Sequence, residues 1–410
     1  MMELEAEAKT GACAGEKQQE QPTSRIDLLI DPFSPSSVMD MVATDRIIRD
    51  EGPIVWLEHY GMWASAQYHT VKAVLDDPQN FSSAKRPFND PDFPIPEILV
   101  TDDPPTHGPL RKAISKILTP STARERIDFF QEVAKSTVTK VCAMGSFDAV
   151  NDLAIPYILR VFGDVIGLKS HGREHLVPFG NAVLNGFGPA NEIFRSTTAE
   201  AVDAKEWVLA QCTSGDFIAG SVGAAIFGAA RRGEYSEELA GLLVLNLVSA
   251  GVDTTVALIS NMIHAFTEFP EQWAALTKNR QLAAGAFEET HRWRSPSRML
   301  GRVAHNDVQI GDAAIKAGQS ILLFAGATGR DEAVWGSPDL FDITRTPGKQ
   351  LSFGFGIHFC LGHMLARAEV LALIEALSER VSSFETDGEP TPLNSTVVQA
   401  FSRLPVRVSE

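Results

Sequence analysis

The residues best equipped for chemistry lie together from Ser352 to Arg367, in the run Ser-Phe-Gly-Phe-Gly-Ile-His-Phe-Cys-Leu-Gly-His-Met-Leu-Ala-Arg. Cys360 follows Gly354 and Gly356 and precedes a helix-forming stretch, which puts its sulfur at the mouth of a helix. Unpaired N–H groups and the positive end of the helix dipole stabilise a sulfur anion there, so a lowered thiol pKa is expected. The glycines permit a tight turn, while Phe353, Phe355 and Phe359 keep water away. A dry, hydrogen-bonded thiolate suits a soft metal. No second cysteine is near, so a structural zinc site has too few ligands, whereas an iron already held by a macrocycle needs one axial thiolate. The competing reading is a buried free cysteine behind a Gly-rich turn.

A second candidate interrupts the apolar run from Ser236 to about Glu268. Ala250-Gly251-Val252-Asp253-Thr254-Thr255 makes poor packing. Glycine costs about 1 kcal/mol against alanine inside a helix, and an unpaired buried carboxylate costs more. The chemical reading has Gly251 leave room for a small ligand, Thr254 turn its hydroxyl toward it and Asp253 pass protons inward. A kink stabilised by threonine bonds to the backbone is the alternative. Two charged pairs sit elsewhere: His107 and Arg111, four apart, and Glu289 and Arg292, three apart, each share one helix face. Either pair by itself is also what an ordinary solvated helix face carries.

The elements that must position these groups are mostly helical. The chain of 410 residues is 44% hydrophobic and shows no Pro-, Gly- or Ser-rich linker, so one large domain over 25–410 is expected behind a disordered, polar tail, 1–24. The tail has no apolar segment of the kind found in signal peptides and membrane anchors. With 36 basic and 52 acidic residues the net charge is −16, which argues against nucleic-acid binding. Four scattered cysteines fit a reducing cytoplasm. Helices are expected over 37–50, 68–76, 123–143, 155–167, 171–187, 197–214, 236–268 and beyond Cys360 to about Val381. Short strands are expected at 54–57, 62–65, 308–310 and 320–323, and a hairpin-like tail from Phe384. The central run is about long enough to span a bilayer, but Asn246, Asp253, Asn261 and His264 interrupt it, so a buried core helix is the better reading. The Pro- and Asp-rich segment from Asn80 to Pro105 cannot be a regular helix or an inner strand.

Phe-Gly-Phe-Gly-Ile-His-Phe-Cys-Leu-Gly resembles the haem-binding loop of cytochromes P450 at every fixed position. The resemblance extends in order over nearly the whole chain from about Asp31. It implies a mainly α fold with small β-sheets, haem b, and Cys360 as iron ligand with Phe353 and Gly362 beside it. It also implies His107, Arg111, Arg302 and His358 as propionate contacts and Asp253 and Thr254 as the oxygen-activating, proton-delivering pair. Glu289, Arg292 and Arg330 would form a structural triad. The Pro-rich loop would cap the substrate pocket.

The implied activity is monooxygenation of a small organic substrate by O2, with electrons from NAD(P)H through a ferredoxin-type iron–sulfur or flavin partner. Such a partner would dock near Lys112 and Lys116. A soluble, bacterial-type monomer in the cytoplasm, without membrane or nucleic-acid contact, is expected. Asp31-Pro32-Phe33, Gly186–Glu192, Leu247–Gly251 and Leu340–Arg345 are similar to the subgroup that oxidises para-substituted benzoic acids. By that likeness Arg86, Leu184, Phe187, Val248, Ala250, Ser297 and Leu300 should line the pocket, with Ser82 and Ser83 offered by the capping loop. Leu245 and Asn246 depart from the subgroup's Arg and Ser, so a phenol or aryl ether is as open as a benzoate, and Arg298 is a possible replacement cation. A terpenoid or fatty acid substrate, a peroxygenase and a non-enzymatic haem-thiolate sensor are the competing classes. The Asp-Thr pair speaks against the peroxygenase.

Overall fold

The computed structural model describes residues 25–88, 95, 98–346 and 348–410. The expected tail, 1–24, and Pro91, Pro94 and Pro96 of the capping loop lie outside them. A six-stranded mixed sheet comprises β1 (Asp27–Leu28), β2 (Val55–Leu57), β3 (Met62–Ser65), β4 (Phe81–Ser82), β5 (Leu300–Ala304) and β6 (Ser320–Leu323). Its spatial order is β1-β2-β3-β6-β5-β4. Trp63 pairs with Ile321 in the parallel β3–β6 contact, and Leu300 with Leu323 in the antiparallel β5–β6 contact. The alternation of β5 places Leu300 and Arg302 on one face.

Seven helices carry the site: α1 (His107–Ser115), α2 (Ile155–Ile166), α3 (Leu176–Asn185), α4 (Glu237–Gly251), α5 (Asp253–Glu268), α6 (Ala283–Trp293) and α7 (His363–Arg380). Ser236 begins α4 by accepting a bond from the Leu239 amide, 3.1 Å, and Glu237 and Glu238 occupy the positive first turn. Together α4 and α5 are one apolar rod of 32 residues, mostly buried against helices on several sides, which is how a core helix packs. Tyr157, Phe162, Phe179, Phe266 and Phe287 pack into the principal core around it, each contributing roughly 1.5–3 kcal/mol. Two smaller clusters under the sheet hold Trp63, Phe81, Leu323, Phe33 and Phe324.

Local differences from the sequence reading have local causes. The helix expected over 37–50 breaks at Asp40, whose carboxylate caps the amide of Ala43 and starts a new helix, Met41–Glu51. The one expected over 171–187 begins only at Leu176, after a short 3-10 turn, and ends at Asn185. A π-helical segment, Ala149–Ala154, leads directly into α2.

Candidate haem and substrate site

The segment before α7 folds back on itself. The Cys360 amide donates to the Phe353 carbonyl at 2.9 Å, and the Gly354 amide to that of Leu351 at 2.9 Å. Gly354 and Gly356 have φ of 72° and 68°, the left-handed region that other residues enter at a cost. A Cβ on Gly356 would also lie 2.7 Å from the Leu75 carbonyl oxygen. The Cys360 sulfur accepts from the amides of Gly362 and His363 and lies in the field of Arg111. Burial nevertheless outweighs these influences and raises the thiol pKa, which corrects the expectation of a lowered one. Desolvation penalises the anion more than two N–H groups and one guanidinium restore, so the sulfur rests as a thiol and a bound cation beside it would favour the thiolate.

Around this sulfur the polar groups are short of partners. His107 is 3% exposed in the first turn of α1, and its ring centroid is 4.3 Å from that of His358. The Nε2 atoms of both are buried without a hydrogen bond. Both imidazoles have lowered pKa values, His358 to about 3; burial is the largest cause, with neighbouring positive charge adding to it. They are neutral and can donate. Arg111 donates to the Phe359 carbonyl. Arg302, 7% exposed, donates to the Gly301 carbonyl at 2.7 Å, and burial lowers its pKa to about 10. Among the described residues neither arginine has a carboxylate at ion-pair distance. Two guanidinium groups and two unpaired imidazoles beside one thiol fit a group that brings two carboxylates and a metal, as haem does. No cluster of three His, Cys, Asp or Glu side chains able to hold a metal ion occurs among the described residues.

Beneath the loop, Ser352 Oγ bonds His291 Nδ1 at 2.8 Å and Ser295 Oγ at 2.7 Å, and the His291 ring packs 4.2 Å from Phe353. Sequence reasoning missed this buried support, because a lone histidine beside a charged pair carries no signal of its own. Glu289 and Arg292 make a bidentate contact at 2.6 and 2.7 Å, both almost wholly buried. Arg292 also donates to the carbonyls of Gly329, Pro338 and Leu340. The third member of this cluster is Arg345, 3.1 Å from Glu289. Arg330 is a correction: it pairs with Asp339 at 2.7 Å and bonds the Trp293 carbonyl, since the meander after Asp331 brings Arg345, and not Arg330, over Glu289.

The central rod is interrupted at Val252, between α4 and α5. Thr254 and Thr255 donate to the carbonyls of Ala250 and Gly251 at 2.8 and 3.0 Å. Ala250 is exposed in the middle of this buried rod, so this turn borders open space. Gly251 does not provide that space, a further correction: a Cβ there would lie 2.3 Å from the Phe162 ring of α2, so glycine is needed for packing. Asp253 faces α3, where a Cβ on Gly180 would approach its Oδ2 to 2.8 Å. This carboxyl is 8% exposed, its Oδ2 has no hydrogen-bond partner, and burial raises its pKa well above the usual carboxylate range.

The expected pocket residues divide. Leu300 is half-buried, and its Cδ1 lies 4.0 Å from where a Gly354 Cβ would be, over the cysteine loop. Leu184 packs near Ala257 and Val398, Ser297 bridges to Val398, and Phe187 packs between two core clusters. Val248 is a correction: it is 0% exposed, packed inside the principal core. Arg86 donates to the carbonyls of Phe88 and Gly186 at 3.1 and 2.9 Å, joining the capping loop to the end of α3. Ser82 is held by Asp103, as is the Ser83 amide. Arg298 is no replacement cation. It is 1% exposed, forms an ion pair with Asp45 at 2.6 Å and donates to the Pro32 carbonyl.

A helix-rich fold that presents one cysteine at a helix mouth, flanked by cations without carboxylate partners, defines the haem-thiolate class. The cytochrome P450 family profile matches residues 176–406. Cytochrome P450 CYP199A2 of Rhodopseudomonas palustris is 35% identical over 93% of this chain and 94% of its own, and the putative cytochrome P450 YjiB of Bacillus subtilis is 30% identical over 88% and 92%. The crystal structure of CYP109E1 from Bacillus megaterium in complex with testosterone superposes with a TM-score of 0.82 at 26% identity, covering 92% of this chain and 99% of that one. The chain belongs to the cytochrome P450 family. It is an oxidoreductase of the monooxygenase type that binds haem b.

Proposed function

We propose that this P450 inserts one oxygen atom of O2 into a small aromatic substrate, by hydroxylation or O-demethylation of an aromatic acid or phenol ether. Residues 25–410 act as one haem domain, with Cys360 as the iron ligand. The observation that carries the ligand assignment is the set of unpaired groups around this sulfur: the Nε2 atoms of His107 and His358, with Arg111 and Arg302 lacking carboxylate partners. These four would hold the propionates of a bound haem, with Phe353 and Gly362 beside the cysteine. The aromatic reading rests on the stretches Asp31-Pro32-Phe33, Gly186–Glu192, Leu247–Gly251 and Leu340–Arg345, which resemble the benzoate-oxidising subgroup.

Haem b, when bound, supplies the oxygen-activating chemistry. The chain's own residues do the rest. Asp253 holds a proton on a buried carboxyl, and Thr254, by releasing the Ala250 carbonyl, can turn its hydroxyl from the helix to the cavity and relay that proton. Phe353 keeps water from the sulfur side of the loop, whereas Phe359 is 36% exposed and Phe355 lies under Lys72. The exposed Lys112 and Lys116 of the cysteine-side surface receive an acidic ferredoxin-type or flavin partner carrying electrons from NAD(P)H. The protein works as a cytoplasmic monomer. A non-aromatic substrate is the second reading, favoured by the relative crystallised with testosterone.

The test is spectroscopic and then catalytic. Reduced wild-type protein with carbon monoxide should show the long-wavelength Soret band of a thiolate-ligated haem, and Cys360→His should retain haem without that band and lose oxygenation. An unchanged band in the variant would refute Cys360 as the ligand. Turnover of para-methoxy aromatics with NADH, ferredoxin and reductase then decides the aromatic reading.

A further inference from the structure

We infer that the substrate's polar end is uncharged and carries an O–H or N–H, which Asn246 Oδ1 accepts, so that carboxylates are selected against. This deepens the reading above and rests on it. Asn246 precedes Ala250 by one turn and Thr254 by two, about 12 Å along the rod at 1.5 Å per residue. Its half-buried side chain therefore shares the face on which Ala250 is exposed. Its Nδ2 donates to the Ile98 carbonyl at 3.1 Å. Only the amide N–H2 can meet a carbonyl, so the orientation of the side chain is settled and Oδ1 is the remaining polar group. Among the described residues no donor reaches Oδ1. The neighbouring Ser249 hydroxyl is spent on the Asn246 carbonyl at 3.0 Å.

A lone acceptor welcomes a hydroxyl and repels a carboxylate. The cations that could reverse this are engaged: Arg86 donates to Phe88 and Gly186, and Arg298 is locked to Asp45. Leu245, at the position where the benzoate subgroup has a cation, is 1% exposed in the core. Besides Arg86, the segment from Asn80 to Pro105 has one basic residue, Lys85, which is exposed. Selection of this kind works as much by excluding the wrong charge as by binding the right group.

The experiment measures Soret shifts of the ferric holoenzyme with two matched sets: para-methoxyphenol, para-methoxytoluene and para-methoxybenzoate, and decanol, undecane and decanoate. In whichever set binds, the hydroxyl member should bind about tenfold tighter than its methyl counterpart, one hydrogen bond's worth, and the carboxylate weakest. Asn246→Leu should erase the hydroxyl's advantage over methyl. Loosening of the Ile98 contact would instead weaken both members equally and leave their ratio unchanged, which overturns the assignment, as does a carboxylate that binds wild type more tightly than the hydroxyl. Binding in the aliphatic set alone would sink the aromatic reading, and the order within that set would still decide this inference.

Discussion

Around Cys360 the chain closes on itself over a few residues, from Phe353 to Cys360 and from Cys360 to His363. At the lid, by contrast, the bonds join remote segments: Arg86 to Gly186, Asn246 to Ile98, and Asn185 to the amide of Thr396 at 2.8 Å. The backbone turn of the cysteine loop is a local object that follows from its own glycines and amides, with Arg111, His291 and Ser295 added to it by the fold. The lid is a joint, and Arg86, Asn246 and Asn185 each bond a partner that only the fold brings to them. Substitution should therefore cost the loop side the cofactor or much of the stability of the whole molecule, and cost the lid side a smaller share of stability and ligand affinity while the cofactor stays bound.

The largest expected effect lies under the loop. Arg292→Ala leaves Glu289 charged and buried, which should cost about 3–5 kcal/mol and reduce haem content, measured by urea unfolding and haem absorbance. A double-mutant cycle sharpens the triad assignment: Glu289 should couple to Arg345 and show no coupling to Arg330. Equal coupling to both would defeat the correction made above.

Next in size is Asp253→Asn, which removes the proton donor proposed above and should lower product formation by about a hundredfold or more with haem retained. Its stability carries a sign. Burial raises the Asp253 pKa in the folded state above its ordinary 3.8, so its contribution is fully present below that pH and is lost as pH rises through the folded value. Thermal melts should therefore show the Asn variant gaining on wild type as pH rises. A constant difference across pH would mean that Asp253 is ionised in the fold.

The smallest effect belongs to the lid. Arg86→Ala removes hydrogen bonds to two carbonyls and should cost about 1–3 kcal/mol of stability while weakening hydroxyl and carboxylate ligands by the same factor. A selective loss of carboxylate binding would make Arg86 a substrate cation and break the contrast between joint and site.

Legibility followed the same division. The cysteine loop, the capped start of α4, the Glu289–Arg292 spacing and the β2–β3 hairpin could be read because each depends on neighbours in the chain. Gly251 was misread because a glycine in a helix signals missing volume and not which neighbour fills it, here Phe162 of α2. Arg330 and Arg345 are both arginines in one irregular stretch, and no periodicity tells which will meet Glu289. Arg298 looked available because the sequence does not place Asp45 beside it, 253 residues away.

By itself the sequence determined a thiol at a helix mouth, an acid and a threonine in the middle of an apolar rod, and the order of helices and strands around them, since short-range sterics, capping and periodicity set those. The tertiary structure alone decided which charges are spent and which remain. An arginine's reach is many times smaller than the chain, and the cost of burying charge without a partner makes each pairing depend on what folds against it.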